Sequence, residues 1–199
     1  MTDPKINSIL DEGNRLFLQR NFEQAIEYYD KILDEDPKHI SSLNNKGYAL
    51  SKLKDFTNAI KCYDIALKIC PDDLSVLINK ISSFRKQGNL IEALSICDNI
   101  LKNNKNYNIA LYHKERILFS MGKFNESISC CNSILEDYPD NGDVLFDKAS
   151  NSAMLSNFDD ALNLLEHAIS QGIQYKIKAK KSKSFENLFD NIRFQNLIS

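Results

Sequence analysis

The sequence predicts an all-α solenoid of antiparallel helix pairs, and three observations carry that prediction. The chain aligns with itself at an offset of 34 residues, a small side chain recurs at one slot of every unit, and apolar residues fall at helical spacing in two runs per unit. Units taken as 6–39, 40–73, 74–107, 108–141 and 142–175 put Ala25, Ala59, Ala93, Ser127 and Ala161 at the twentieth slot. Three slots earlier stand Phe22, Phe56, Leu90, Phe124 and Phe158, and the twenty-eighth slot holds Leu33, Leu67, Leu101, Leu135 and Ile169. The fourth slot, in the first run, holds Ile9, Leu43, Leu77, Leu111 and Leu145.

Each unit therefore reads as a helical hairpin. Its internal break falls near Gln19–Asn21, Lys54–Asp55, Gly88–Asn89, Gly122–Lys123 and Ser156–Asn157, where glycine, asparagine or charge ends a helix. The second helix stops near Asp36-Pro37, Cys70-Pro71 and Tyr138-Pro139, because proline lacks a backbone donor and restricts the residue before it. Residues 1–5 form a short polar N-terminal extension, and residues 176–199 follow the fifth hairpin as capping helices.

These slots resemble the tetratricopeptide repeat. The family's small eighth residue stands as Gly13, Gly47 and Ala149, its aromatic twenty-fourth as Tyr29 and Tyr63, and its closing proline as Pro37, Pro71 and Pro139. The middle of the chain departs: Ile81 and Glu115 replace the small eighth residue, Lys105 replaces the proline, and Cys97 and Cys131 replace the aromatics. Small slots let helix axes approach at the short end of the roughly 8–10 Å range. A glutamate there is expected to splay its helix pair and reach water, since glutamate is rarely fully buried. The resemblance implies a right-handed superhelical array whose first helices line a concave side.

A stack of hairpins leaves its last apolar face open, so a cap is expected. Lys176–Lys183 would form one further helix, and Phe185, Leu188, Phe189, Ile192, Phe194, Leu197 and Ile198 supply a dense apolar set for closing helices. The lysines at 176, 178, 180, 181 and 183 give residues 171–199 a balance of +4, whereas residues 1–39 stand at −4. Without interleaved stacking aromatics or a nucleic-acid module, that run reads as a solvated cap face, and nucleic acid is not the favoured partner.

Composition excludes several classes. The net charge of −2 argues for neither nucleic acid nor membrane, and no stretch approaches the ~18 apolar residues of a membrane span, so a cytoplasmic protein is expected. Five cysteines without C-x-x-C or histidine partners at zinc spacing read as small apolar residues in a reducing compartment. No metal or cofactor is expected: the three histidines fall in different units, and no glycine-rich phosphate loop, G-x-S-x-G or H-E-x-x-H occurs. The expected role is a non-enzymatic scaffold for protein–protein interaction.

The first-helix slots facing neither the partner helix nor the next unit define a candidate peptide groove. They are Leu10, Asn14 and Phe17; Asn44, Asn45 and Tyr48; Ile78, Asn79, Ser82 and Arg85; Tyr112, His113, Arg116 and Phe119; and Phe146 and Asp147. Asparagine carries donors and an acceptor for the amides of an extended chain, and the aromatic and aliphatic members supply burial. Arg85, Arg116 and His113 define a local positive zone for a carboxylate. A subset of the family grips chaperone C-termini with a two-carboxylate clamp. Asn14 and Asn45 fit it, but Leu10, Ser75 and Asn79 stand where its cations belong, so no chaperone-tail binding is expected. Two other classes of function stay open: self-assembly through the tail or groove, and a nucleic-acid-associated regulator using the lysine-rich cap.

Overall fold

The computed structural model describes residues 4–199; Met1–Asp3 of the expected extension lie outside the described residues, and Pro4 and Lys5 already belong to the first helix. The described residues form twelve α-helices and one 3-10 segment, with no strand among them. They run α1 (Pro4–Leu18), α2 (Phe22–Glu35), α3 (Ile40–Lys52), α4 (Phe56–Ile69), α5 (Leu74–Gln87), α6 (Leu90–Asn103), α7 (Asn108–Ser120), α8 (Phe124–Asp137), α9 (Gly142–Met154), α10 (Phe158–Gln171), α11 (Gln174–Lys181) and α12 (Ile192–Ile198). The 3-10 segment, Lys183–Leu188, lies between the last two. The chain divides into two compact units, Met1–Ile96 and Cys97–Ser199, with the boundary inside α6.

Every hairpin turns in the same way. Its fifteenth residue is left-handed: Arg20, Lys54 and Ser156 have φ of 65°, 66° and 62°, and Gly88 and Gly122 have φ of 90° and 73°. In each case the next amide reaches back five residues, as Asn21 N does to Leu16 O (3.0 Å), Asp55 to Leu50, Asn89 to Phe84, Lys123 to Leu118 and Asn157 to Ser152. This is a Schellman closure, which satisfies carbonyls that the helix end would leave unbonded. Side-chain caps start several helices: His39, Asp55, Asp73 and Asn141 accept from the amides of Ser42, Asn58, Val76 and Val144.

Between hairpins, Lys105 does not disturb the turn expected from proline. Tyr107 N bonds Asn104 O at 3.2 Å, as His39 bonds Asp36 and Asn141 bonds Tyr138 at the turns that have proline.

In the first unit, α1 packs on α2, α3 on α4, and each second helix on the next first helix. The twentieth slot is shut off from solvent: Ala25 and Ala59 are fully buried, as are Ala93, Ser127 and Ala161 further along. Tyr29 and Tyr63 fill the space left by Gly13 and Gly47, and a Cβ on Gly47 would stand 2.6 Å from Tyr63 Cε1. Ion pairs repeat across successive hairpins, from the seventh slot to the twenty-fifth slot of the hairpin before: Lys46 with Asp30, Lys80 with Asp64 (2.6 Å) and Lys114 with Asp98 (2.7 Å).

In the second unit, α7 packs on α8, α8 on α9, and α9 on α10. Here one expectation fails. Glu115 is not splayed into water but 2 % exposed, with Ser127 Oγ donating to its Oε1 at 3.1 Å and Asn151 Nδ2 at 3.4 Å. Cys131, also buried, stands at the slot where the first hairpins carry tyrosine, and the smaller thiol leaves room for the longer eighth residue. Burial pushes the Glu115 carboxyl up to about 7, with the nearby Asp147 charge adding to the rise.

The tail closes the second unit. Phe185, Leu188 and Phe194 are buried with Tyr175, Ala179, Leu145 and Leu165 in one core, and the rings of Phe185 and Phe194 stack at 5.7 Å. Phe189 and Ile192, expected in that apolar set, are instead 40 % and 75 % exposed.

Candidate peptide-binding surface

The first helices α1, α3 and α5 carry the first unit's candidate residues. Their polar members are already linked from hairpin to hairpin. Asn45 Nδ2 donates to Asn14 Oδ1 at 2.8 Å, and the Tyr29 hydroxyl donates to the same oxygen at 3.0 Å. Asn79 Nδ2 donates to Asn44 Oδ1 at 2.9 Å, and Asn44 Nδ2 lies 3.4 Å from Ser75 Oγ. An amide oxygen has two lone pairs, so both of those at Asn14 are taken, and bonding capacity remains on its NH2 group and on the Asn45 carbonyl oxygen.

Beside this ladder Phe17 stacks on Tyr48 with ring centroids 5.1 Å apart, and Phe17 also touches Phe22. Asn14, Phe17, Leu18, Tyr29, Asn45 and Tyr48 line one open hollow of about 320 Å³. The hollow thus joins an apolar floor to amide groups with bonding capacity left over. Leu10 packs on the core beneath, while Ile78, Ser82 and Arg85 are part-buried on α5 and do not line the hollow.

In the second unit, α7 and α9 hold the rest. The Arg116 guanidinium donates to the Tyr112 hydroxyl at 2.6 Å, lies 4.3 Å over the Tyr112 ring, and stands 3.6 Å from Asp147 Oδ2. Burial pushes Asp147 up to about 6, against the opposing pull of Arg116. Arg116 is thus partly neutralised by its neighbour, so the positive zone expected there is weaker than the sequence implies. Tyr112 also lines a second hollow of about 290 Å³ with Asn108, Ile109, Ile134, Tyr138 and Asn141. His113 and Phe119 are part-buried on α7, Phe119 against Phe124. Phe146 is not on an open face: it is 8 % exposed beneath the cap, 5.8 Å from the Tyr175 ring and 5.7 Å from that of Phe185.

The sequence reading missed four residues at this surface. Leu18 is 81 % exposed at the rim of the first hollow, and Tyr29 reaches its floor from α2. Lys52 Nζ sits 4.8 Å over the Tyr48 ring, and Lys86 occupies the same slot one hairpin later. Leu18, Lys52 and Lys86 share the thirteenth slot, a register position that would have found all three. Among the described residues no group of His, Cys, Asp and Glu is arranged to hold a metal ion, and no helix is long and apolar enough to cross a membrane.

Comparison with known proteins follows the same lines. A family model described as tetratricopeptide repeat matches residues 40–73, and a second with the same description matches residues 16–39. No curated protein matches the chain. Among solved structures, a tetratricopeptide repeat protein from Parabacteroides merdae superposes with a TM-score of 0.83 at 16% identity, over 98% of this chain and 78% of that one. MamA gives 0.73 at 17% identity, over 89% and 96%. YrrB, described as a TPR protein with an unusual peptide-binding site, gives 0.69 at 20% identity, over 87% and 91%. At these identities the likeness is one of fold. The family model is thus matched across residues 16–73, and the turn geometry of those two hairpins repeats in all five.

Proposed function

We propose that this protein is a non-catalytic scaffold that binds an extended segment of a partner protein along the first helices of its hairpins. The observation that carries the reading is the hollow of Asn14, Phe17, Leu18, Tyr29, Asn45 and Tyr48. Apolar surface and amide groups open side by side there, and contiguous apolar patches rimmed by polar groups mark interaction sites. The peptide-binding description of YrrB, a protein of the same fold, agrees with this reading. A chaperone-type carboxylate clamp is not part of it, since Leu10, Ser75 and Asn79 supply no cation.

The test is affinity capture from the native lysate with the wild-type chain and with Asn45→Ala and Asn79→Ala. Prey lost with the variants supports groove recognition. Prey retained by both moves the binding surface elsewhere.

Self-association is a second reading, favoured by Ile173, the N-cap of α11, and Ile177 within it, 73% and 56% exposed. Light scattering across a concentration series tests it, and a constant monomer mass excludes it.

A further inference from the structure

We infer that the first unit selects segments in which an acidic residue follows or precedes an apolar anchor by about three residues, with Lys52 and Lys86 reading the acid. This rests on the peptide-binding reading above and gives that site its ligand chemistry.

The thirteenth slot changes character along the unit. Leu18 and the stacked Phe17–Tyr48 pair make one end apolar. Lys52 on α3 and Lys86 on α5 make the other end cationic. The C-terminal halves of α3 and α5 lie side by side, where the buried hydroxyls of Ser51 and Ser83 meet at 3.2 Å. Lys52 and Lys86 therefore project from neighbouring helix ends.

Among the described residues no carboxylate forms an ion pair with either lysine. The carboxylate nearest in sequence, Asp55, is committed to α4: its Oδ1 accepts from Asn58 N at 3.1 Å and its Oδ2 from Asn58 Nδ2 at 2.7 Å. Partial desolvation of an otherwise exposed side chain lowers the Lys86 ammonium below its ordinary range, and Lys52 and then Arg85 push it the same way against Tyr48. Cations crowd here. Each helix C-terminus contributes roughly half a negative charge, which leaves the two lysines a net positive field. A ligand carboxylate relieves it.

The spacing follows from geometry. Neighbouring helix axes lie roughly 8–10 Å apart. An extended chain in the polyproline II form advances about 3.1 Å per residue and returns to the same face every three residues. An apolar side chain in the Asn14–Tyr48 hollow thus places a residue about three positions away over the α5 end.

The test uses immobilised ten-residue peptides of glycine and serine with one fixed phenylalanine and one glutamate moved from one to seven positions away, in both directions. Each has a glutamine twin. The wild-type chain is expected to prefer glutamate over glutamine by about fivefold, the factor of an exposed charge pair, with a maximum near a separation of three. The Lys52→Gln/Lys86→Gln chain is expected to lose that preference and to keep its dependence on phenylalanine. Both lysines are exposed, so the fold stays intact, and circular dichroism checks it.

Binding that needs phenylalanine but ignores glutamate overturns the inference and leaves peptide binding standing. So does a glutamate preference that is flat with separation, or one that survives in the double variant. Failure of every peptide to exceed the glycine–serine background overturns both.

Discussion

Glu115→Gln is expected to stabilise the protein at pH 8 and to leave it unchanged near pH 4.5. In the fold the Glu115 carboxyl titrates at about 7, against an ordinary value of 4.5. Between those values the native state holds a proton that the unfolded chain has released. Native stability therefore falls as pH rises from 4.5 through 7, the reverse of an ion-paired carboxylate. At about 1.4 kcal/mol per pH unit, the ionised side chain costs the native state about 3 kcal/mol above pH 7. Glutamine keeps an oxygen for Ser127 Oγ and Asn151 Nδ2 and carries no charge to desolvate. Allowing for the desolvation of the new amide, about 2 kcal/mol is recovered, a Tm increase of about 5 °C for a chain of this size. Thermal unfolding of both proteins at pH 4.5, 6 and 8 reads this directly, and the difference between them cancels the titration of unrelated groups. A variant that melts lower than wild type at pH 8, or gains equally at pH 4.5, would refute the buried-acid argument.

Three other outcomes are expected. Gly47→Ala forces a Cβ to within 2.6 Å of the Tyr63 ring, which is wholly buried and cannot give way, so urea unfolding should show a loss of about 1–3 kcal/mol despite the better helix former. Phe185→Ala removes a fully buried ring from the cap core and should cost about 3–5 kcal/mol, with earlier hydrogen exchange in α10 and α11 than in α3 and α4. Lys54→Gly relieves a left-handed lysine at φ 66°; the gain of about 1–2 kcal/mol from lost strain less about 0.5–1 from glycine entropy leaves a small net stabilisation in the same assay.

The hairpins were legible because slot periodicity reports packing directly: a position that must be small in every unit, such as Ala25 to Ala161, lies at a helix crossing. Glu115 was misread because each slot was weighed alone. The eighth and twenty-fourth slots trade volume: Gly13 with Tyr29, Gly47 with Tyr63, Glu115 with Cys131, Ala149 with Leu165. A large residue at one therefore goes with a small one at the other, and the helices need not part. The surface was harder to read. Register put Asn14, Asn45 and Tyr48 on one side but could not show that the Asn14 oxygen is already taken by Tyr29 and Asn45. It placed Phe146 in the open because the same slot is part-exposed in the earlier hairpins, whereas the tail folds over it. Lys52 and Lys86 escaped notice because their slot begins with Leu18, so that chemistry and position agree only once the fold sets the three in a row.

The ion pairs between successive hairpins have a further consequence. They join the first four hairpins through part-exposed charges, which dissolved salt screens. At the fourth step the seventh-slot Lys148 faces a twenty-fifth slot held by Asn132, and the rung is absent from the sequence. There the connection runs instead through Asn151 and Glu115, shielded from dissolved ions but answerable to acidity. Brine thus loosens the joints at Lys46, Lys80 and Lys114, whereas protonation of Glu115 tightens the one that follows them.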